Sequence, residues 1–192
     1  MTWSSVIIDR WDVIDAVRRT LRSLVVTGGD YSHTLSDQAG TPDALRRVQI
    51  GLFTVPPIPV SAGVPFVSIA DGGVSVEPGP STNSRQASAE ILVTGWVPAG
   101  PGAQERLQAA AALEADLRRA VYANPQLCTA DQPNGWVQHV LVRSETVDGK
   151  EFAEAGQQHD LAQMGVVEMT LTAVWRDKAG PRVDSAAIAT IL

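Results

Sequence analysis

The stretch Gly28-Gly29-Asp30-Tyr31-Ser32-His33-Thr34-Leu35 sets an acid, a phenol, a hydroxyl and an imidazole behind two glycines. His33 lies between Asp30 and Asp37, so the chemistry open to it is metal binding or acid–base work against a carboxylate. The competing reading is structural: a helix stop at the glycines, then an ordered loop. The other histidines do not strengthen the chemical reading. His139 lies in a strand-like run, where it packs or faces solvent, and His159 precedes Asp160 in a polar connection. None of the three has a histidine four residues away, as helical metal motifs require.

The remaining reactive residues assemble nothing recognisable. Cys128 is the single cysteine, so no disulfide forms within the chain and no zinc pattern exists. No basic neighbour in sequence lowers its pKa, and a small packed side chain is expected there. The serines form no GxSxG elbow, and the glycines form neither GxGxxG nor a P-loop. Gly28-Gly29 is expected to cap a helix and Asp71-Gly72-Gly73 to turn a hairpin. No catalytic residue, metal ligand or cofactor site is therefore expected. Glu145, Asp148, Glu151, Glu154 and Asp160 crowd a short span with only Lys150 opposing them, without the spacing of a calcium loop. Two readings stand: a solvated hairpin loop, or an acidic surface that repels DNA.

The elements that must position these residues follow from periodicity. Ile7, Trp11, Ile14, Val17, Leu21 and Leu24 recur at helical spacing and predict a helix over residues 5–26, capped by Ser4 or Ser5. Asp9, Asp12 and Asp15 lie early and Arg18, Arg19 and Arg22 late, which suits the helix dipole. Residues 30–64 read as irregular, with a helical turn from Pro42 and a Pro-rich arm over 41–64 that cannot be a central strand. Strands are predicted at 66–70, 87–97, 136–147 and 166–175, with a short strand and a polar loop from Val74 after the Asp71-Gly72-Gly73 turn. In 87–97, Ala89, Ile91, Val93 and Val97 share one face, and Glu90, Thr94 and Trp96 share the other. A second helix over 103–122 carries the stripe Leu107, Ala110, Leu113, Leu117 and Val121 and ends at Asn124-Pro125. The expected fold is α+β: a mostly antiparallel sheet with two main helices on one face, plus extended arms. Residues 1–177 are expected to form a single domain and 178–192 a C-terminal extension.

Bulk properties narrow the function. The chain has 192 residues, 44% of them hydrophobic, and a net charge of −6. Such a chain can build a core, and its acidity disfavours tight binding to duplex DNA. No apolar run is long enough to span a membrane and no signal peptide opens the chain, so a soluble protein made in the cytoplasm is expected. Five of the ten aromatic residues are tryptophan. Trp96, on the face opposite Ile91 and Val93, is the strongest candidate for an interface anchor.

In order and character these segments resemble the tail terminator and tail completion proteins of long-tailed bacteriophages. The resemblance runs over residues 9–177. It rests on "VIDAVRRTLRSLV", "GGDYSHTL", "VPFVSIADG", "RQASAEILVTGWVP", "RLQAAAALEADLRRAVYANPQL" and "VVEMTLTAVWRD". It implies a virion protein, assembled in the host cytoplasm, that forms a hexameric ring at the head-proximal end of the tail. Its partners would be further copies of itself, the tail tube protein and a neck or connector protein of the head. DNA would pass through the channel without specific binding, and no catalysis or cofactor is implied. The residues expected at subunit or partner contacts are Tyr31, Leu35, Phe53, Ile58 and Trp96. Glu145, Asp148, Glu151 and Glu154 are expected to face the channel. A neck or head-completion ring is the near alternative. A small hydrolase or metal enzyme using Asp30, His33 or His159, and a ligand- or carbohydrate-binding domain using exposed tryptophans, are alternatives of other classes.

Overall fold

Reciprocal hydrogen bonds close the start of the first helix. The Asp9 side chain accepts from the Trp11 amide, and Asp12 Oδ2 accepts from the Asp9 amide at 3.0 Å. This capping box satisfies amides that a helix start leaves open. It fixes α1 at Arg10–Arg22, so the cap is Asp9 rather than Ser4 or Ser5. The helix also ends earlier than 26. The chain leaves it at Ser23, and Leu24 O accepts from the amides of Leu35 (3.0 Å) and Ser36 (3.2 Å) as the following loop folds back. The computed structural model describes residues 8–26, 30–53, 56–57, 63–78, 84–100, 102–147 and 164–178; Gly28 and Gly29, expected to cap this helix, lie outside them.

Five strands and two helices make up the described fold. The strands are β1 (Val48–Ile50), β2 (Phe66–Pro78), β3 (Ser84–Pro98), β4 (His139–Val147) and β5 (Met164–Lys178), and the second helix is α2 (Ala103–Ala123). The sheet order is β1-β2-β3-β5-β4. Every pairing is antiparallel except β1 with β2. The class is therefore α+β with a mostly antiparallel sheet, as the periodicity predicts.

Two local readings change. Asp71-Gly72-Gly73 is not a hairpin turn. β2 runs straight through it, and the register slips between Asp71 and Gly73, forming a bulge. Glycine there admits the extra residue: Gly73 has φ +119°, and a Cβ on Gly72 would stand 3.0 Å from Glu90 O. Residues 48–50, expected within an irregular region, form β1. Three residues are too few for alternation to register in the sequence, and this strand exists through its pairing with Val67, Ser68 and Ile69. The expected helical turn at Pro42 is present as a short 3-10 helix, Asp43–Leu45.

The core is built as the alternation requires. Val13, Ile14, Val17 and Leu21 of α1, with Ala110, Leu113, Leu117 and Val121 of α2, share one cluster with Ile91, Val93, Val167, Met169, Leu171, Ala173 and Trp175. Close approach of α2 to the sheet needs two glycines. A Cβ on Gly165 would lie 2.5 Å from Arg106 O, and one on Gly95 2.8 Å from Leu113 Cδ2. Two residues expected in the helical stripes are exposed instead: Trp11 (51%) and Leu107 (42%). Trp11 is the second residue of α1 and Leu107 the fifth of α2, so both lie near the starts of their helices.

Candidate sites: open sheet edges and a buried Asp116–His33 pair

The loop after α1 is held by carboxylates. Asp116 of α2 is buried, and its Oδ2 accepts from the Ser32 amide (2.9 Å), the His33 amide (2.8 Å) and His33 Nδ1 (2.9 Å). One carboxylate oxygen thus fixes two consecutive backbone donors and the imidazole above them. A second carboxylate, Asp37, receives the Arg47 amide at 2.9 Å and pairs with Arg22 Nη2 at 3.0 Å. Arg47 Nη1 reaches Thr34 O at 2.8 Å, and Thr34 Oγ1 accepts from the Val26 amide at 3.1 Å. The loop is an ordered structure tied to both helices.

This arrangement bears directly on the chemistry suggested for His33. Its partner is neither Asp30 nor Asp37 but Asp116, which sequence reasoning missed. The available signal was its place: Asp116 sits among Leu113, Leu117 and Ala120 in the buried stripe of α2. An acid at such a position needs donors, and the loop supplies them. No group of three or more potential metal ligands occurs among the described residues. His139 is exposed, and His159 lies outside the described residues. Cys128, expected to be packed, is exposed, with its amide donating to Asn124 Oδ1 at 2.7 Å.

The residues expected at contacts are dispersed. Leu35 is fully buried in the main core, which removes it as a contact residue of the protomer surface. Tyr31 is half-buried, with the Arg119 guanidinium 5.9 Å from its ring centroid. Trp96 does lie opposite Ile91 and Val93, but it is wholly buried rather than exposed. It packs with Phe66, Met164 and Val166 in a second cluster, against which Phe53 and Val64 close. Phe53 meets Phe66 edge-on at 5.4 Å between centroids, so it acts first as a cover. Two features hide Trp96: its cross-strand partners are Phe66 and Val166, and the chain before β2 folds over them. Ile58 lies outside the described residues, as do Asp148, Glu151 and Glu154. Glu145 belongs to β4, not to a loop, and its register partner is Glu168 of β5, which is exposed.

The sheet itself offers what the individual residues do not. Beyond Ile69, where β1 ends its pairing, the outer side of β2 over 71–78 has no strand beside it among the described residues. At the opposite margin β4 is the terminal strand among the described residues, with Leu141 57% exposed. Val74 (42% exposed) and Val76 (50%) mark the β2 margin. No family model and no curated protein matches this chain.

Acidic and basic side chains elsewhere form surface pairs. Arg19 is held above its ordinary pKa chiefly by its hydrogen bond to Asp131, with Asp15 adding to the effect. Arg10 Nη1 pairs with Asp71 at 3.1 Å and Arg10 Cζ lies 5.7 Å from the Trp11 ring centroid, which joins the start of α1 to the bulge of β2. No described helix is long and apolar enough to cross a membrane.

Proposed function

We propose that this chain is a structural ring protein of a long-tailed phage virion. It sits at the head-proximal end of the tail tube, ends tube growth and provides the surface that meets the head. The observation that carries the reading is the pair of open sheet edges on opposite margins, 71–78 of β2 and 139–147 of β4. Edges of this kind can take up a partner strand, because their unpaired backbone donors and acceptors template another strand. Edges on opposite sides of one protomer suit head-to-tail contacts, which close into rings when the rotation permits. The resemblance of the segment order to tail terminator proteins selects the ring and its place.

In this reading both helices lie on one face of the sheet, and the other face turns toward a channel. Thr94, Thr170, Thr172 and Glu168 are at least partly accessible there. The net charge of −6 lets DNA pass without sticking. The acids of residues 148–160 serve the same end. The partners are further copies, the tube protein and the neck. The chain performs no catalysis and needs no cofactor. His33 and Asp116 hold a loop.

The test is the mass of purified protein by light scattering across a concentration series, with negative-stain imaging alone and with tail tubes. Hexameric rings, free or on tube ends, are expected. A monomer that leaves tube ends bare sinks the reading. A neck or head-completion ring would use the same edges, and the ring's position in the virion separates the two.

A further inference from the structure

We infer that the 71–77 margin of β2 in one copy pairs antiparallel with β4 of a second copy, with Val76 opposite Val140 and Ser75 opposite Leu141. The inference rests on the ring reading and adds to it which strands meet, in which direction and in which register.

Direction comes first. β3 runs against β2, β5 against β3 and β4 against β5. A second copy added beyond β4 in the same orientation therefore presents its β2 antiparallel to β4, so the alternation continues without a break. The window is also bounded. β1 pairs with β2 up to Ile69, and Pro78, which lacks an amide donor, ends β2 at the other side. A neighbouring strand fits only between these stops.

Facing fixes the register to steps of two, because a one-residue slip exchanges the faces. Val74 and Val76 pair with Ala89 and Ala87, on the face that carries Ile91 and Val93. Val140 and Val142 pair with Ala173 and Leu171, on the same face. Setting Val76 against Val140 brings Val74 against Val142, so two half-exposed valines gain apolar neighbours. On the other face, Ser75 then meets exposed Leu141, and Glu77 meets His139, a carboxylate beside an imidazole. Trp11, tied to this margin through Arg10 and Asp71, is exposed beside it. A twofold contact of β2 with β2 is the rival pairing. It would leave the nine-residue β4 edge and Leu141 uncovered in both copies.

The test uses cysteine pairs in a Cys128→Ser background. Ser75 and Leu141 are both exposed, so replacing either spares the core. Opposed Cα atoms of an antiparallel pair stand about 4.5–5.5 Å apart, within disulfide reach. Under mild oxidation, Ser75→Cys alone and Leu141→Cys alone should stay uncrosslinked. Mixing the two should give a covalent dimer, and the double variant should give a ladder that ends at the ring size. Crosslinking of Ser75→Cys alone overturns the proposal in favour of the twofold contact. No crosslink in the mixture at any concentration overturns it as well. If the unsubstituted protein still forms rings, only the register and strands fail. A ladder that grows into open filaments keeps the junction and defeats the ring.

Discussion

Asp116 Oδ2 and His33 Nδ1 stand 2.9 Å apart across 83 residues of sequence, and the same oxygen accepts from the amides of Ser32 and His33. The imidazole is one of three donors, and the two backbone amides do not depend on it. His33→Ala therefore removes one hydrogen bond and should cost about 1 kcal/mol, with assembly unchanged. Asp116→Ala leaves both amides and the imidazole without their acceptor in a buried place and should cost ~3 kcal/mol. Denaturant midpoints of the two variants decide this. Equal losses, or loss of ring formation by His33→Ala alone, would show that the imidazole does more than brace the loop.

The two glycines under α2 predict a graded response. At Gly165 a Cβ would meet backbone, 2.5 Å from Arg106 O and 2.9 Å from the Ala110 amide nitrogen. Helix backbone cannot yield without lifting α2, so Gly165→Ala should destabilise by about 3 kcal/mol. At Gly95 the nearest atom is the tip of Leu113, at 2.8 Å, which can rotate. Gly95→Ala should cost about 1 kcal/mol. Thermal unfolding that ranks Gly95→Ala as the worse of the two would contradict this packing.

The β4–β5 pairing sets Glu145 directly opposite Glu168. Like charges opposed across strands destabilise a sheet. Glu168→Gln should therefore raise stability by about 0.5 kcal/mol at low salt, with the gain shrinking as salt is added. A gain independent of salt would point to packing rather than charge. If the acids of this region serve a DNA channel, the same variant should slow DNA passage despite its greater stability.

Strong alternation made most of the fold legible. Ala89, Ile91, Val93 and Val97 fall on one face, and Val167, Met169, Leu171, Ala173 and Trp175 on one face of β5, as the pattern predicts. The α2 boundary at Asn124 was equally readable, since Pro125 cannot continue the helix. What escaped were features set by distant contacts. β1 is three residues long and exists only against β2. The Gly72-Gly73 pair carries a turn composition, yet a bulge uses the same backbone freedom. Asp116 lies in the buried stripe of α2, but its partners Ser32 and His33 are more than 80 residues away in sequence. Trp96 shows the limit most plainly: its face was right and its exposure wrong, because the cover comes from residues before β2.

Trp96 also carries the last prediction. Its indole nitrogen is buried with no hydrogen-bond partner among the described residues, while its rings pack on Phe66 at 5.5 Å between centroids. The side chain contributes apolar area and bears the cost of one unmet donor. Trp96→Phe removes that donor along with part of the ring system, so the two effects oppose and the net loss should stay near 1 kcal/mol. Trp96→Ala removes the packing outright and should cost ~4 kcal/mol. Because Trp96 is internal to the protomer, Trp96→Phe should assemble as the parent does. A Trp96→Phe variant that folds with near-parent stability yet fails to form rings would return this residue to the subunit interface. It would then follow that the Phe53 cover opens on assembly.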